Sequence, residues 1–382
     1  MAAGRPTGIL IVDDSVVIRS LLRSVISTDS SLAVIGSAAD GESALRAIES
    51  LHPALVLLDV EMPVMDGLVT LKELRKRGHK MPVIMCSSLT RRGATVTIEA
   101  LASGASDYVA KPAGQSGREA AIQTLAQDLI PRIHALTGQP QPALISQAQP
   151  AFPGTTPATA RIPSLLPMAS PRQKPQPISS DPVVLVIGVS TGGPAALDVL
   201  LPALPGNFPL PVLIVQHMPE VFTRPFAERL NGRCRLQVRE AAEGDPVRAG
   251  TISIARGNWH LEVLAGKPPT MHLTQGPLEN HCRPAADVLF RTAAAVYGAS
   301  VLAVVLTGMG SDGMIGCRIL RGMGSAVLAQ DEATSTVWGM PGAVANAGLA
   351  HKVLPLQEIV PEILRIVSRK HSEAPALREA VG

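Results

Sequence analysis

Residues 183–193 read VVLVIGVSTGG, and this stretch decides how the second half of the chain folds. An unbroken apolar run is typical of a strand buried on both faces, inside a parallel sheet covered by helices. The run stops at Ser190, which is followed by Thr191, two glycines and the helix-forming residues PAAL. A hydroxyl therefore lies in a strand-to-helix turn, beside N–H groups that stabilise negative charge. An acyl-transfer nucleophile needs these parts, but a turn that only packs, or a phosphate-binding loop, has them too.

The length and composition of the chain describe a soluble globular protein. Its 382 residues are enough for two or three domains, and 46% are hydrophobic while 17% are charged. The net charge of +3 is not concentrated in a dense basic stretch, so we predict no nucleic-acid partner. No apolar segment approaches a membrane span and the N-terminus lacks a signal-peptide core, so we predict a cytoplasmic protein without membrane insertion. Four widely spaced cysteines are expected to be reduced and mostly structural, namely Cys86, Cys234, Cys282 and Cys317.

One change in composition divides the chain. Ten prolines lie between Gln139 and Pro177, mixed with Gln, Ser, Thr and Ala and without a helical or alternating period. Such a segment cannot bury enough apolar surface to fold by itself, and its prolines favour extended backbone. We therefore predict one domain over residues 1–135, a linker over 136–181 and a second domain over 182–382.

Four short apolar runs in the first domain end on polar residues, and their alternation with helical patterns favours a doubly wound parallel sheet. The runs and the residues that follow them are 8–12 before Asp13 and Asp14, 53–58 before Asp59, 82–86 before Ser87, and 107–110 before Lys111. Ligands of such sheets bind at the carboxyl ends of the strands, where these side chains converge. Clustered carboxylates suit Mg²⁺, and beside a cation and Lys111 an aspartate can accept a phosphoryl group. Each aspartate alone is also explained as a turn residue, but the set favours phosphoryl transfer.

The first domain resembles response-regulator receiver domains, which have a flavodoxin-like fold. The matching segments are VDDS at 12–15, LDVEMPVMDG at 58–67, Ser87 with Ser88, and YVAKP at 108–112. The roles that the resemblance implies are phosphoacceptor for Asp59, Mg²⁺ ligands for Asp13, Asp14 and Asp59, phosphoryl contact for Lys111, and switch residues for Ser87 and Tyr108.

Two further strands of the second domain bring partners for Ser190 to the same sheet edge. Residues 211–216 form an apolar run that ends at His217, and residues 300–306 form another that opens into a glycine-rich loop with Asp312. A lone histidine is usually a surface residue, and an aspartate at the start of a helix is ordinarily an N-cap. If the three strands are parallel neighbours, however, a nucleophile, a general base and an orienting acid meet at one edge.

The residues alone leave two questions open. The backbone N–H groups that would bind an oxyanion lie near Thr191 or near Met309. Residues 188–192 also match the G-x-S-x-G elbow of α/β-hydrolases, which present their triad in the order Ser, acid, His. The order here is Ser, His, Asp, and the late candidates His351 and His371 follow no strong strand signal, so an ordinary α/β-hydrolase is the less favoured interpretation.

The second domain resembles the catalytic domain of chemotaxis-type protein-glutamate methylesterases, and a receiver followed by this domain is that family's architecture. The matching segments are STGG at 190–193, QHMP at 216–219, FAERL at 226–230, TGMGSDG at 307–313, AQDEA at 329–333 and GMP at 339–341. The resemblance implies a Rossmann-like α/β domain with a triad of Ser190, His217 and Asp312. It implies hydrolysis of glutamate γ-methyl esters on chemoreceptors without a cofactor for that step, deamidation of receptor glutamines in some members, and a chemotaxis histidine kinase as phosphodonor.

Other features bear on competing interpretations. The second domain lacks a helix-turn-helix pattern with a basic recognition helix, which disfavours a DNA-binding regulator, whereas a receiver-controlled lipase or general esterase would share the serine. Residues 280–285 are expected to shape the substrate rim, where Arg283 either binds an acidic neighbour of the substrate or is structural. His260, His272 and His281 are expected at the surface, because no metal-ligand spacing links them.

The two-domain order also suggests how activity is controlled. If the receiver covers the sheet edge that carries Ser190, phosphorylation of Asp59 would change the contacts there and uncover the serine. This is a population shift between closed and open forms, and the linker is long enough to allow it.

Overall fold

The computed structural model describes residues 6–112, 117–138 and 180–372, with side chains of the last helix described to residue 368. The strands of these residues are β1 Thr7–Val12, β2 Leu32–Ala38, β3 Leu55–Asp59, β4 Val83–Ser87, β5 Asp107–Ala110, β6 Val184–Val189, β7 Val212–Gln216, β8 Gln237–Glu240, β9 Thr251–Ile254, β10 His260–Leu264, β11 Thr270–Thr274, β12 Val301–Val305, β13 Ala326–Gln330 and β14 Lys352–Leu354. The α-helices are α1 Val16–Ile26, α2 Gly41–Leu51, α3 Gly67–Lys76, α4 Arg91–Ala102, α5 Arg118–Thr137, α6 Gly193–Leu200, α7 Glu220–Asn231, α8 Ala286–Tyr297, α9 Met314–Gly322, α10 Met340–Asn346 and α11 Leu356–Ser372. A 3₁₀ turn at Leu201–Ala203 follows α6.

The first sheet has the strand order β2-β1-β3-β4-β5, and each of its strand pairs is parallel. The four strands predicted from apolar runs are all present, so the predicted doubly wound sheet is confirmed. Strand β2 was not predicted. It lies at the edge of the sheet, and only its two terminal residues are buried while those between are half-buried or exposed, so it lacks the continuous apolar run of a central strand.

The second sheet has the order β14-β13-β12-β6-β7-β9-β8, again with parallel pairs. Strand β6, which carries the opening stretch, lies between β12 and β7. The register pairs Val189 with Gln216 and Gly188 with Val305. The predicted neighbourhood of the three strands is therefore confirmed, and the residues that follow them emerge at one edge.

Sequence reasoning missed the outer strands of this sheet. Strands β8, β9, β13 and β14 extend it on both sides, and β10 and β11 pair as a separate antiparallel hairpin. The edge strands β8 and β14 are short and partly exposed, so they have no strong hydrophobic pattern. Strand β13 is fully buried and has the apolar pattern of a strand, so it was predictable from the sequence.

The core behind the sheet edge that carries Ser190 is built around Phe290 of α8, which is fully buried. Its ring lies against Gly188 of β6, where an added Cβ would come within 3.2 Å of the ring. At Gly316 of α9 an added Cβ would meet the Phe290 Cβ at 2.5 Å. The two glycines thus let α8 pack closely on β6 and α9 pack closely on α8, and this packing sets where the loops at the strand ends lie.

The two sheets are joined by packing between a helix of the first half of the chain and helices of the second half. Helix α4 packs against α6 and α7. The ring of Tyr108, on β5, also lies 4.6 Å from the ring of Phe222, on α7, centroid to centroid, at an interplanar angle of 44°. Both residues are buried, with exposures of 5% and 0%. An apolar interface therefore connects the strand that leads to Lys111 with the helix that follows His217.

Of the predicted linker, residues 139–179 lie outside the described residues, and helix α5 runs to Thr137. Among the described helices, none combines the length and the apolarity that crossing a bilayer requires.

Replacement of Phe290 by alanine should destabilise the second sheet by about 3–5 kcal/mol, because a buried aromatic ring would leave a cavity between α8, β6 and α9. Chemical denaturation monitored by circular dichroism would measure the change. Ile315→Ala is the matched control, because Ile315 is 49% exposed and its replacement should change stability by only about 0.5 kcal/mol. Equal effects of the two changes would contradict this account of the core.

Candidate active site

Ser190 lies in a tight turn between β6 and α6 that two neighbouring loops hold in place. Its backbone N–H donates to the carbonyl of Thr307, after β12, at 3.0 Å. Gly192 has φ +77° and caps α6, and an added Cβ there would lie 2.3 Å from Thr336 Oγ1. Only glycine suits this conformation and this space. The small residues after Ser190 are therefore required by the geometry of the turn.

His217 and Asp312 meet as the sequence predicted. The backbone N–H of His217 donates to the carbonyl of Val189 at 3.1 Å, which fixes the end of β7 against the end of β6. The Nε2 atom of His217 lies 2.7 Å from Asp312 Oδ2. The Asp312 side chain is 2% exposed and that of His217 is 12% exposed, so the pair is shielded from water. A buried carboxylate that orients an imidazole is the arrangement of a general base.

Asp312 receives further hydrogen bonds that hold it as a carboxylate. The backbone N–H groups of Ala286 and Asp287, at the start of α8, donate to it at 2.6 and 3.1 Å. Asn280 Nδ2 donates at 2.9 Å, and the N–H of Gly313 donates at 3.0 Å. Burial raises the pKa of this carboxyl, but the His217 contact and the backbone donors outweigh burial and leave the pKa below its ordinary value. Asp312 therefore accepts hydrogen bonds from the first N–H groups of α8. It is not the N-cap of the following helix α9, whose N-cap is Gly313.

The environment of His217 favours its charged form. Burial lowers the pKa of the ring, but the hydrogen bond with Asp312 and the contact with Cys282 raise it, with the net result that it reaches about 10. Within the described residues the hydroxyl of Ser190 makes no hydrogen bond, so the pair of His217 and Asp312 is formed while the third member is adjacent but unbonded. Proton transfer from Ser190 requires the neutral ring and an approach of the two side chains.

The two candidate oxyanion donors flank the serine on different loops. Among the described residues, the backbone N–H groups of Thr191 and Met309 donate to no acceptor, so both are available to a substrate oxygen. The Thr191 hydroxyl donates to Asp107 Oδ2 at 2.9 Å. Asp107 belongs to β5 of the first sheet and also pairs with Arg132 at 2.7 Å. The first half of the chain therefore contacts the residue next to Ser190 directly.

Sequence reasoning missed several residues around the triad. Gln216 is 2% exposed, and its Nε2 donates to the carbonyls of both Ser190 and His217, at 3.0 and 3.1 Å. Asn280 bridges two buried carboxylates, since its Nδ2 lies 2.9 Å from Asp287 Oδ2 as well as from Asp312 Oδ1. The position of Gln216 directly before His217 was a usable signal. The sequence gives no signal for Asn280, because it lies 32 residues before Asp312 and no local pattern links the two.

The segment 280–285 lies against His217 and Asp312, through Cys282 and Asn280. Arg283 is structural, because it donates to Asn258 Oδ1 at 2.8 Å and to the carbonyl of Gly276 at 2.7 Å. The prediction that His260 is a surface residue is wrong. Its ring is 3% exposed and bonds the carbonyl of Pro277 and the N–H of Ala285, whereas His281 is exposed and His272 is half-buried.

The acidic cluster of the first sheet forms as predicted. Lys111 Nζ lies 2.7 Å from Asp13 Oδ2 and 2.7 Å from Asp59 Oδ1. Carboxylate oxygens of Asp13, Asp14 and Asp59 lie within 4.8 Å of one another. Burial raises the pKa of Asp59 to about 6, although Lys111 opposes this effect. The Oδ2 atom of Asp59 is buried without a hydrogen-bond partner among the described residues. An unpartnered carboxylate oxygen within a cluster of acids suits a divalent cation and an incoming phosphoryl group.

The two predicted switch residues lie on β4 and β5, which follow β3 on the same side of the sheet. Ser87 is fully buried at the end of β4, and its hydroxyl donates to the carbonyl of Ser88 at 3.2 Å. Tyr108 is on β5, and its ring packs on Phe222 of α7. Burial raises the pKa of the Tyr108 hydroxyl far above its ordinary value, so this side chain is neutral at the interface.

The fold and the two sites define a two-domain α/β protein in which a receiver-type acidic site is joined to a site of the serine-hydrolase type. Residues 9–123 match the family model of the response regulator receiver domain, and residues 185–363 match that of the CheB methylesterase.

Relatives along the whole chain identify the particular family. The sequence is 48% identical to a protein-glutamate methylesterase/protein-glutamine glutaminase of Nocardioides sp., over 95% of this chain and 96% of the relative. It is 44% identical to one of Trichodesmium erythraeum, over 94% and 98%. The crystal structure of the Thermotoga maritima CheB methylesterase catalytic domain matches at 40% identity and TM-score 0.48, covering 49% of this chain and 100% of that one. This chain belongs to the protein-glutamate methylesterase/protein-glutamine glutaminase family.

Replacement of Asp312 by asparagine should lower the pKa of His217 from its raised value toward the ordinary value of about 6.5, because the carboxylate charge that favours the imidazolium is lost. At neutral pH the ring would therefore change from charged to neutral. NMR titration of ¹⁵N-labelled histidines would follow the change, with His217→Gln used for assignment. Asp245→Asn is the matched control, since Asp245 pairs with Arg239. An unchanged His217 titration in Asp312→Asn would contradict the described pair.

Proposed function

We propose that this protein hydrolyses glutamate γ-methyl esters on chemoreceptors and deamidates receptor glutamines, with Ser190 as nucleophile. The observation that carries the proposal is the buried pair of His217 and Asp312, 2.7 Å apart, at the sheet edge that carries Ser190. The names of the relatives from Nocardioides and Trichodesmium support both activities. The chemosensory role, in adaptation of receptor signalling, follows from the same family.

The chemistry of the proposed triad proceeds in two halves. Ser190 attacks the carbonyl carbon of the side-chain ester while His217 takes the hydroxyl proton and Asp312 stabilises the imidazolium. The proton then passes to the leaving methoxide, so methanol departs and an acyl-enzyme remains. Water, deprotonated by His217, releases the glutamate and restores the serine. Deamidation follows the same course with ammonia as the leaving group.

Backbone N–H groups stabilise the charge that develops in this reaction. The candidates are those of Thr191, in the same turn as Ser190, and of Met309, in the loop after β12; neither has an acceptor within the described residues. Each such donor is typically worth about 3 kcal/mol of the barrier. Because both belong to the backbone, side-chain substitutions at these positions test the hole only indirectly.

Phosphorylation of Asp59 is proposed to control access to Ser190. In the structure the receiver half contacts the catalytic turn through Asp107 and Thr191, and the second half through Tyr108 and Phe222. Asp13, Asp14 and Asp59 would hold Mg²⁺, which when bound supplies positive charge to the transferring phosphoryl group. Lys111 contacts the transferred group, and Ser87 turns toward it. Movement of β5 then loosens the contacts of Asp107 and Tyr108 and uncovers the serine.

The remaining parts of the proposal concern context. The substrates are methyl-accepting chemotaxis receptors and the phosphodonor is a chemotaxis histidine kinase, in the cytoplasm. The receiver domain would span residues 1–135, the catalytic domain 182–382, and the linker between them would permit the two halves to separate.

Wild-type protein should release methanol from methyl-labelled receptor membranes, whereas Ser190→Ala should be slower by roughly 10³-fold or more, because the nucleophile is absent. Volatile label released over time measures the rate. Wild-type protein should also release ammonia from receptor glutamines. As a control for folding, the Ser190→Ala protein should retain the wild-type histidine NMR titration of His217. Retained methanol release in Ser190→Ala would exclude the proposed nucleophile, and faster turnover of a short lipid ester than of receptor would favour a general esterase.

Residues 182–382 alone should demethylate receptors faster than the unphosphorylated full chain, because the contact of Asp107 with Thr191 is removed. The full chain should be activated by an acyl phosphate with Mg²⁺, and Asp59→Asn should not be. Rates of methanol release from the three proteins, with and without phosphodonor, test this. If removal of the receiver never raises activity and the phosphodonor has no effect, control by occlusion is wrong.

A further inference from the structure

The thiol of Cys282 lies beside Nδ1 of His217, the ring nitrogen that does not contact Asp312. Its Sγ atom is 3.5 Å from His217 Nδ1. The backbone holds it there, because the N–H of Cys282 donates to the carbonyl of Glu279 at 2.8 Å and the N–H of Glu279 donates back at 3.1 Å. Asn280, within this short loop, is bonded to Asp312. The same loop therefore places the amide of Asn280 against Asp312 and the thiol of Cys282 against His217.

This position matters because the imidazole has two nitrogens and the first is taken. Nε2 bonds Asp312, so Nδ1 is the nitrogen that must accept the proton of Ser190. In the structure Nδ1 has the Cys282 thiol as its neighbour, and the Ser190 hydroxyl has no hydrogen bond among the described residues. A sulfur contact at this distance is weak, so an approaching serine can displace it.

We propose that Cys282 is a positioning residue for the catalytic base: its thiol holds Nδ1 of His217 in the receiver-docked form and yields that nitrogen to Ser190 when the enzyme acts. The inference rests on the proposed function and deepens it, since it assigns a resting partner to the base. It also explains why the acid and base are paired in this structure while the serine is not.

The electrostatic surroundings of the ring fix the direction of the expected effect. Asp312 and Cys282 face the ring, and the further carboxylates behind Asp312 are those of Asp287 and Glu279. Burial lowers the pKa of His217, whereas Asp312 and Cys282 raise it. Loss of the sulfur contact should therefore lower this pKa, and a larger share of the protein would then carry the neutral base at a given pH.

Cys282→Val and Cys282→Ser in the full chain test the proposal. Valine removes the hydrogen-bonding group at similar volume and should lower the His217 pKa by about half a unit or more, whereas serine retains such a group and should keep it near the wild-type value. NMR titration of His217 measures both. Cys234→Val is the matched control, because Cys234 is half-buried and lies near Asp198. Equal shifts in the valine and serine variants, or no shift in either, would overturn the proposal.

A second arm uses iodoacetamide on the full chain with methanol release as the readout. Cys86 and Cys317 are buried and burial raises the pKa of Cys234 to about 11, so alkylation should fall first on Cys282. A carbamidomethyl group there lies beside Nδ1 and should inactivate wild type and Cys234→Val, but not Cys282→Ser. Peptide mapping identifies the modified residue. Full activity with Cys282 alkylated would overturn the proposal.

The two arms separate the proposal from the function on which it rests. If the protein released no methanol at all, the proposed activity would fail, but the His217 titrations in Cys282→Val and Cys282→Ser would still decide whether the thiol sets the state of the ring. In an active protein the acid limb of kcat should move to lower pH in Cys282→Val and stay in place in Cys282→Ser. A purely structural role for Cys282 would move neither limb.

Discussion

The hydrogen bond between His217 and Asp312 is the interaction on which the catalytic half is organised. It requires a carboxylate that stays ionised while 2% exposed, and burial alone opposes this. Backbone N–H groups at the start of α8, an asparagine and the imidazole together outweigh the burial. The packing of Phe290 against Gly188 and Gly316 brings that helix start to the end of β12. The hydrophobic core therefore positions the N–H groups that stabilise the charged pair.

The contacts between the two halves underlie the proposed control of the second domain by the receiver. The turn after β6 carries Ser190 and is built from small residues. The receiver contacts this half through Asp107 on Thr191 and Tyr108 on Phe222. Asp107 and Tyr108 begin the strand that ends next to Lys111, which pairs with Asp59. In the proposed control, a change of charge at Asp59 therefore has a short path through one strand to the residue beside Ser190.

Sequence reasoning succeeded where hydrophobic runs and strand ends carry the signal. Central strands buried on both faces read as continuous apolar runs, so both parallel sheets and the convergence of Ser190, His217 and Asp312 were predictable. It failed at edge strands such as β2, which are only half-buried, and at His260, which was expected at the surface and is buried against Pro277 and Ala285. Composition and spacing do not reveal burial of a polar side chain, because burial depends on which loops meet in space.

By itself the sequence determined the class of both sheets, the order of the two halves, the acidic cluster and the placement of the three proposed triad residues at one sheet edge, because strand-end residues of a parallel sheet must emerge at a common edge. Only the tertiary structure decided which nitrogen of His217 faces the acid, that Asn280 and Cys282 lie against the triad, and that the receiver contacts Thr191. These contacts join residues distant in the chain. They depend on helix packing and loop geometry, which no local pattern encodes.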